Sequence, residues 1–133
     1  MNTANFMKIP TCHLVFYSPA GKVKFQVNNN GGNVIGRKSE VNPPDVDLLV
    51  NTDDALMSRR HARIRASFGQ APIYLLSDLD SQNGTTLINK QREEMEILPG
   101  DEVFLEDGFT IRMGATEMVF EIVYEGNKTN LKI

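Results

Sequence analysis

The chain has 133 residues, one Cys, no Trp, and 14 Lys+Arg against 17 Asp+Glu, for a formal net charge of −3. That length suits one domain with a core of its own, since domains run to about 100–200 residues, and the mild acidic balance argues against non-specific nucleic-acid binding. No run approaches the ~18 consecutive apolar residues of a membrane span, residues 1–10 hold no apolar core of signal-peptide length, and the lone Cys12 excludes an intrachain disulfide. The expectation is a single cytoplasmic domain with no cofactor or structural metal and no nucleic-acid or membrane partner.

In chain order, residues 1–10 read as an N-terminal tail, 11–125 as the domain and 126–133 as a C-terminal tail. Ser18-Pro-Ala-Gly21 is a turn, after which Val23, Phe25 and Val27 alternate with Lys22, Lys24 and Gln26. Successive strand side chains point to opposite faces, so this is a half-buried strand. Asn28–Gly32 is a second turn, followed by a short apolar run ending in Ile35-Gly36-Arg37, and the Lys38–Val46 loop carries Pro43-Pro44. Residues 45–68 hold no Gly or Pro. There a helical face (Met57, His61, Ile64, Phe68) competes with a strand in which Ala62, Ile64 and Ala66 alternate with Arg63, Arg65 and Ser67. The all-β surroundings favour a loop through Met57 and a strand from about His61 to Ser67.

Further on, Asn83-Gly84, Pro99-Gly-Asp101 and Glu106-Asp-Gly108 mark turns. Phe109, Ile111 and Met113 alternate with Thr110 and Arg112, and Met118, Phe120, Ile122 and Tyr124 share one face. Many short strands at regular turn spacing predict an antiparallel sandwich or barrel. Charge is uneven along this order. Residues 93–125 hold Arg112 against ten acids, while the basic residues gather earlier, chiefly as Arg37, Lys38, Arg59, Arg60, Arg63 and Arg65.

Three clusters carry chemistry: Gly36-Arg37, Ser58-Arg59-Arg60-His61, and Asn83-Gly84-Thr85 followed by Asn89. Each is weak alone, Asn-Gly being above all a hairpin dipeptide. Their order and spacing, with a Leu98-Pro-Gly-Asp101 turn before the closing strands, resemble the forkhead-associated (FHA) domain from about Cys12 to Tyr124.

That resemblance implies an eleven-stranded antiparallel β-sandwich, FHA/SMAD-like, whose loops at one end bind phosphothreonine peptides. It implies no catalytic residue and no enzyme activity. Arg37 and Ser58 would hold the phosphate with Arg59 as a second cationic donor, and Asn83 would bond the peptide main chain. Gln82 stands where members often carry Ser or Thr, and its amide can also donate. Gly36, His61, Gly84, Thr85 and Asn89 would support the site, His61 by tying loops together, Thr85 and Asn89 by side chain-to-backbone bonds. The chemistry is coherent: a phosphothreonine brings about −1.5 to −2 charge and three acceptor oxygens, and the arginine fork grips two oxygens at once. Selectivity over phosphoserine would depend on a small pocket for the threonine methyl, one methyl being worth about 1–3 kcal/mol. The expected partner is a phosphothreonine-containing protein or peptide, a Ser/Thr kinase or its substrate among the candidates. The alternative is the same fold serving as a phosphate-independent scaffold for a protein partner.

Enzyme readings fare worse. Asp78-Leu-Asp80 after an apolar strand is similar to the start of haloacid dehalogenase phosphatases, but Gln82 stands where their Thr is needed and the crossover helices are missing. A calcium loop there lacks its turn glycine. Ser58 and His61 sit in no nucleophile-elbow context, and Cys12-His13 has no second cluster to complete a four-ligand metal site.

Overall fold

The computed structural model describes residues 9–124, so the tails expected at 1–10 and 126–133 lie outside the described residues except for Ile9 and Pro10. Pro10 is buried, and its carbonyl accepts a hydrogen bond from Asn29 Nδ2 at 3.0 Å. The described residues form eleven strands and no helix: β1 (Thr11–Ser18), β2 (Gly21–Val27), β3 (Val34–Arg37), β4 (Leu48–Val50), β5 (Ala62–Phe68), β6 (Pro72–Asp78), β7 (Thr85–Ile88), β8 (Glu94–Glu96), β9 (Val103–Leu105), β10 (Thr110–Met113) and β11 (Thr116–Val123).

Two sheets stack face to face. One is ordered β2-β1-β11-β10-β7-β8 and the other β4-β3-β5-β6-β9. The strand reading of residues 62–68 prevails over the helical one: Ala62 and Ile64 are fully buried, Arg63 and Arg65 are half-exposed, and Phe68 is exposed. Pairing is antiparallel except between β3 and β4, which run parallel with Ile35 opposite Leu48. This is the one parallel pair among the described strands of the expected antiparallel sandwich. The β3–β4 connection is too long and too proline-bound for a tight hairpin, so the chain returns along the loop before re-entering the sheet edge in the same direction. Residues 48–50, expected in a loop, are that added strand.

Alternation fills the core. Leu14, Phe120, Met118, Ile111 and Met113 face inward from one sheet, and Ile35, Val50, Ile64, Leu76 and Leu105 from the other. Tyr74 and Phe120 meet across the layers with ring centroids 5.4 Å apart and planes at 59°, the tilted geometry that aromatic quadrupoles favour. Burying each large apolar side chain contributes about 1.5–3 kcal/mol. Loops 38–47, 51–61 and 79–84 leave this rigid body at one end, where β3 and β6 finish and β5 and β7 begin.

Candidate functional site

Arg37 is the last residue of β3, and Gly36 before it lets the 51–61 loop come close. A Cβ on Gly36 would lie 1.8 Å from the Arg59 carbonyl oxygen, so no other residue fits. That approach permits two backbone bonds, Arg37 N–H to Ser58 O at 3.0 Å and His61 N–H to Ile35 O at 2.8 Å. Arg37 Nε donates to Met57 O at 2.8 Å. The guanidinium is thus anchored through one nitrogen, and its two terminal nitrogens have no partner among the described residues.

The 54–58 segment organises the rest. Leu56 O accepts from Asn83 Nδ2 at 2.9 Å, and Ser58 Oγ accepts from the Gln82 N–H at 3.2 Å, which leaves the Ser58 hydroxyl proton free to donate. The Met57 side chain is fully buried as an anchor. Asp54 braces the segment from below: its carboxylate accepts from Leu56 N (3.0 Å), Ala115 N (2.8 Å) and Thr116 Oγ1 (2.7 Å). Partial burial opposes its ionisation, but these bonds hold the carboxyl below the usual carboxylate range. The β10–β11 turn presses against the same segment at Gly114, where a Cβ would sit 2.6 Å from Leu56 C.

His61 joins two loops. The Ser58 N–H donates to His61 Nδ1 at 2.9 Å, so the ring proton resides on Nε2, which lies 2.9 Å from Gly84 O and donates to it. The ring is fully buried. Burial disfavours its charged form and lowers its pKa, although Gly84 O and the Asp78 carboxylate pull the other way. Asp78 completes the lock on the 79–84 loop by accepting from Ser81 N (3.0 Å), Ser81 Oγ (2.5 Å) and Thr85 Oγ1 (2.6 Å). Ser81 Oγ in turn accepts from the Gly84 N–H at 2.9 Å, and Gly84 takes φ +85° in the turn. These bonds outweigh the opposing effect of burial and hold the Asp78 carboxyl below its ordinary value.

Arg37, Ser58, Arg59 and Gln82, which are distant in sequence, line one cleft of about 370 Å³ together with Met57 and Arg60. Asn83 lies beside it, its amide engaged by Leu56 O. Among the described residues neither Arg37 nor Arg59 has a carboxylate within 4.0 Å, whereas Arg60, Arg65 and Arg112 are paired to Asp45, Glu102 and Glu94. Arg59 makes one long bond, Nη1 to Val41 O at 3.4 Å.

Two supporting residues differ from expectation. Thr85 acts through a side chain-to-side chain bond, its hydroxyl donating to the Asp78 carboxylate rather than to a backbone group. Asn89 is not brought to the cleft. It follows Ile88 at the far end of β7, about 13 Å along the strand from Thr85, and it closes its own turn by accepting from Gln91 N and Glu93 N.

Sequence reading missed Asn42, Asp54, Met57 and Ser81. Asn42 holds the 38–47 loop by donating to Arg37 O at 2.9 Å and accepting from Ser39 N at 2.8 Å. Ser81 lies within the Asp78–Gln82 stretch compared above with phosphatases and calcium loops. Met57 contributes its backbone carbonyl, which no side-chain pattern reveals.

A family model described as "FHA domain" matches residues 33–114. Over 89 residues the chain is 36% identical to the FHA domain-containing protein FhaA of Mycobacterium tuberculosis, covering 67% of this chain and 14% of FhaA. Over 85 residues it is 32% identical to Protein FraH of a Nostoc species, covering 64% of this chain and 27% of FraH. The chain therefore spans only a small part of the curated relatives it matches. A solved FHA domain studied for phosphothreonine-dependent interactions superposes with a TM-score of 0.57 at 33% identity, covering 84% of this chain and 95% of that one.

Proposed function

The chain belongs to the FHA domain family, and from that premise we propose that it is a phosphothreonine-peptide-binding module for reversible protein–protein interaction in Ser/Thr kinase signalling in the cytoplasm. The observation that carries the reading is the convergence of Arg37, Ser58, Arg59 and Gln82 on one cleft, with two arginines that have no carboxylate partner among the described residues. In this reading the terminal nitrogens of Arg37 and the Ser58 hydroxyl donate to phosphate oxygens, Arg59 adds charge, the Gln82 amide donates to phosphate or adjacent backbone, and Asn83 exchanges its Leu56 contact for the peptide main chain. Its partner is a phosphothreonine-bearing protein, a Ser/Thr kinase or its substrate.

The magnitudes fit. Hydrogen bonds to charged groups contribute about 1.5–3 kcal/mol each. Three or four of these, less the cost of ordering a peptide, give micromolar affinity, roughly −8 kcal/mol. An oriented phosphothreonine peptide library passed over the chain tests the reading. Selective retention of phosphorylated sequences supports it; equal retention of the phosphatase-treated library moves the assignment to a phosphate-independent scaffold.

A further inference from the structure

The 38–47 loop walls the phosphate cleft on one side, with Pro43 among the lining residues. It is tied to the 51–61 loop at two points. Asp45 accepts from Arg60 Nε at 2.9 Å, and the Val41 carbonyl accepts from Arg59 Nη1 at 3.4 Å. That same carbonyl has a second donor, the Ser39 hydroxyl, at 2.8 Å. One oxygen atom therefore separates Ser39 Oγ from the Arg59 guanidinium. Asn42 fixes the start of the loop by accepting from the Ser39 N–H at 2.8 Å and donating to Arg37 O at 2.9 Å. Ser39 thus stands at a set place on the rim, beside the cation that has no carboxylate within 4.0 Å among the described residues. Its neighbours Lys38, Glu40 and Val41 are exposed, and Arg37-Lys38 precede it in the chain.

We propose that Ser39 is a phosphorylation site whose phosphate draws Arg59 out of the cleft and so weakens the grip on the phosphothreonine peptide. The inference rests on the phosphothreonine reading and adds its regulation. The modification is a phosphoryl transfer from ATP by a Ser/Thr kinase. Ser39 Oγ forms the new bond to the γ-phosphorus, the bond to the β,γ-bridging oxygen breaks, ADP leaves with that electron pair, and the hydroxyl proton passes to the kinase's base. Arg37-Lys38 ahead of the serine suits a kinase with an acidic substrate groove. The product brings about −1.5 to −2 charge and three acceptor oxygens. Its ester oxygen carries no proton, so the bond from Ser39 to Val41 O is lost. The 3.4 Å contact of Arg59 with that carbonyl is long for an N–H···O bond. A charge-assisted bond to phosphate, about 2.7–2.9 Å and roughly twice as strong as a neutral one, displaces it. Ser39 does not line the cleft. Its phosphate acts by withdrawing the second cation and by placing like charge at the rim, not by taking the ligand phosphate's place.

The test uses the full chain with phosphoserine installed at position 39 by genetic code expansion, and a fluorescein-labelled phosphothreonine peptide selected from the library. Phosphorylation of Ser39 should weaken peptide binding on the order of tenfold. In Arg59→Ala the same modification should cost less than about threefold, because the cation it withdraws is already gone. Ser39→Ala should bind as the parent does, and phosphatase treatment of the modified chain should restore parent affinity. Phosphorus NMR reads the contact without any peptide: the second ionisation of the Ser39 phosphate, ordinarily at about pH 6, should fall lower in the parent than in Arg59→Ala. Incubation of the parent with ATP and an arginine-directed Ser/Thr kinase should place phosphate on Ser39, located by mass spectrometry. An equal loss of affinity in the parent and in Arg59→Ala overturns the proposal, as does the same phosphate titration in both, or kinase treatment that leaves Ser39 unmodified. If the parent binds the peptide only when the peptide is phosphorylated, these failures touch the Ser39 switch alone; if phosphorylation of the peptide makes no difference, the underlying reading falls and the switch with it.

Discussion

His61 and Ser58 are bound through a backbone amide: the N–H of Ser58 donates to His61 Nδ1 at 2.9 Å, and the opposite ring nitrogen holds Gly84 O at the same distance. One buried imidazole thereby fixes the spacing of the two loops that carry Ser58 and Gln82. Its burial lowers the pKa from the ordinary value of 6.5. The folded state therefore disfavours the proton that the unfolded chain accepts. Stability should be full above pH 6.5 and fall as pH drops below it, by up to about 1.4 kcal/mol per pH unit until the folded pKa is reached. Thermal melts between pH 7.5 and 5 check this, and in His61→Gln the slope over that window should flatten. An unaltered slope would assign the titration elsewhere.

Gly36→Ala forces a Cβ to within 1.8 Å of Arg59 O, where backbone rather than a yielding side chain stands in the way. Overpacking of this kind costs about 1–3 kcal/mol and sometimes more. Urea denaturation should show a loss at or above the top of that range, with weaker phosphopeptide binding because Arg37 moves with its strand. A loss under ~0.5 kcal/mol would mean the loop retreats freely.

Asp54→Ala removes the acceptor for Ala115 N, Thr116 Oγ1 and Leu56 N without touching the cleft. Orphaned donors cost about 1–3 kcal/mol, and the segment presenting Met57 O and Ser58 loses its brace. Differential scanning fluorimetry should record the destabilisation, and calorimetry a several-fold loss of peptide affinity. Unchanged affinity would show that the segment holds its shape unaided.

Arg59 and Arg60 are neighbours with different commitments. Arg60 pairs with Asp45 at 2.9 Å in an exposed contact, whereas Arg59 has no carboxylate within 4.0 Å among the described residues. Arg59→Ala should weaken phosphopeptide binding on the order of tenfold, Arg60→Ala less than about threefold. Raising salt above 0.1 M, where the screening length is about 10 Å, should weaken the parent more than Arg59→Ala. Anisotropy titrations decide, and a reversed order would move the second cation to residue 60.

Much of this was legible from spacing. Gly36-Arg37, Ser58–His61 and Asn83–Thr85 stand at strand ends, which a sandwich brings together, and their order and spacing carry the resemblance to the FHA domain through which the residues of the cleft could be named. The β10 and β11 alternations were plain because one face of each is dry. Other elements left no pattern. β8 reads Glu-Met-Glu and is exposed throughout, and β4 is a three-residue strand whose parallel pairing depends on the path of the preceding loop. Asn89 forms the expected side chain-to-backbone bonds, but within the β7–β8 turn rather than at the cleft, because β7 carries it to the opposite end of the strand from Thr85. Carbonyl partners such as Met57 O are backbone groups that every residue has, so only coordinates reveal them.

The most direct measurement is calorimetric titration of a library-selected phosphothreonine peptide into the parent chain and into Arg37→Ala, with melting curves showing both folded. Loss of the terminal guanidinium donors should weaken binding on the order of 100-fold or more. Equal affinity in the two proteins would contradict the assignment of residue 37 to the phosphate.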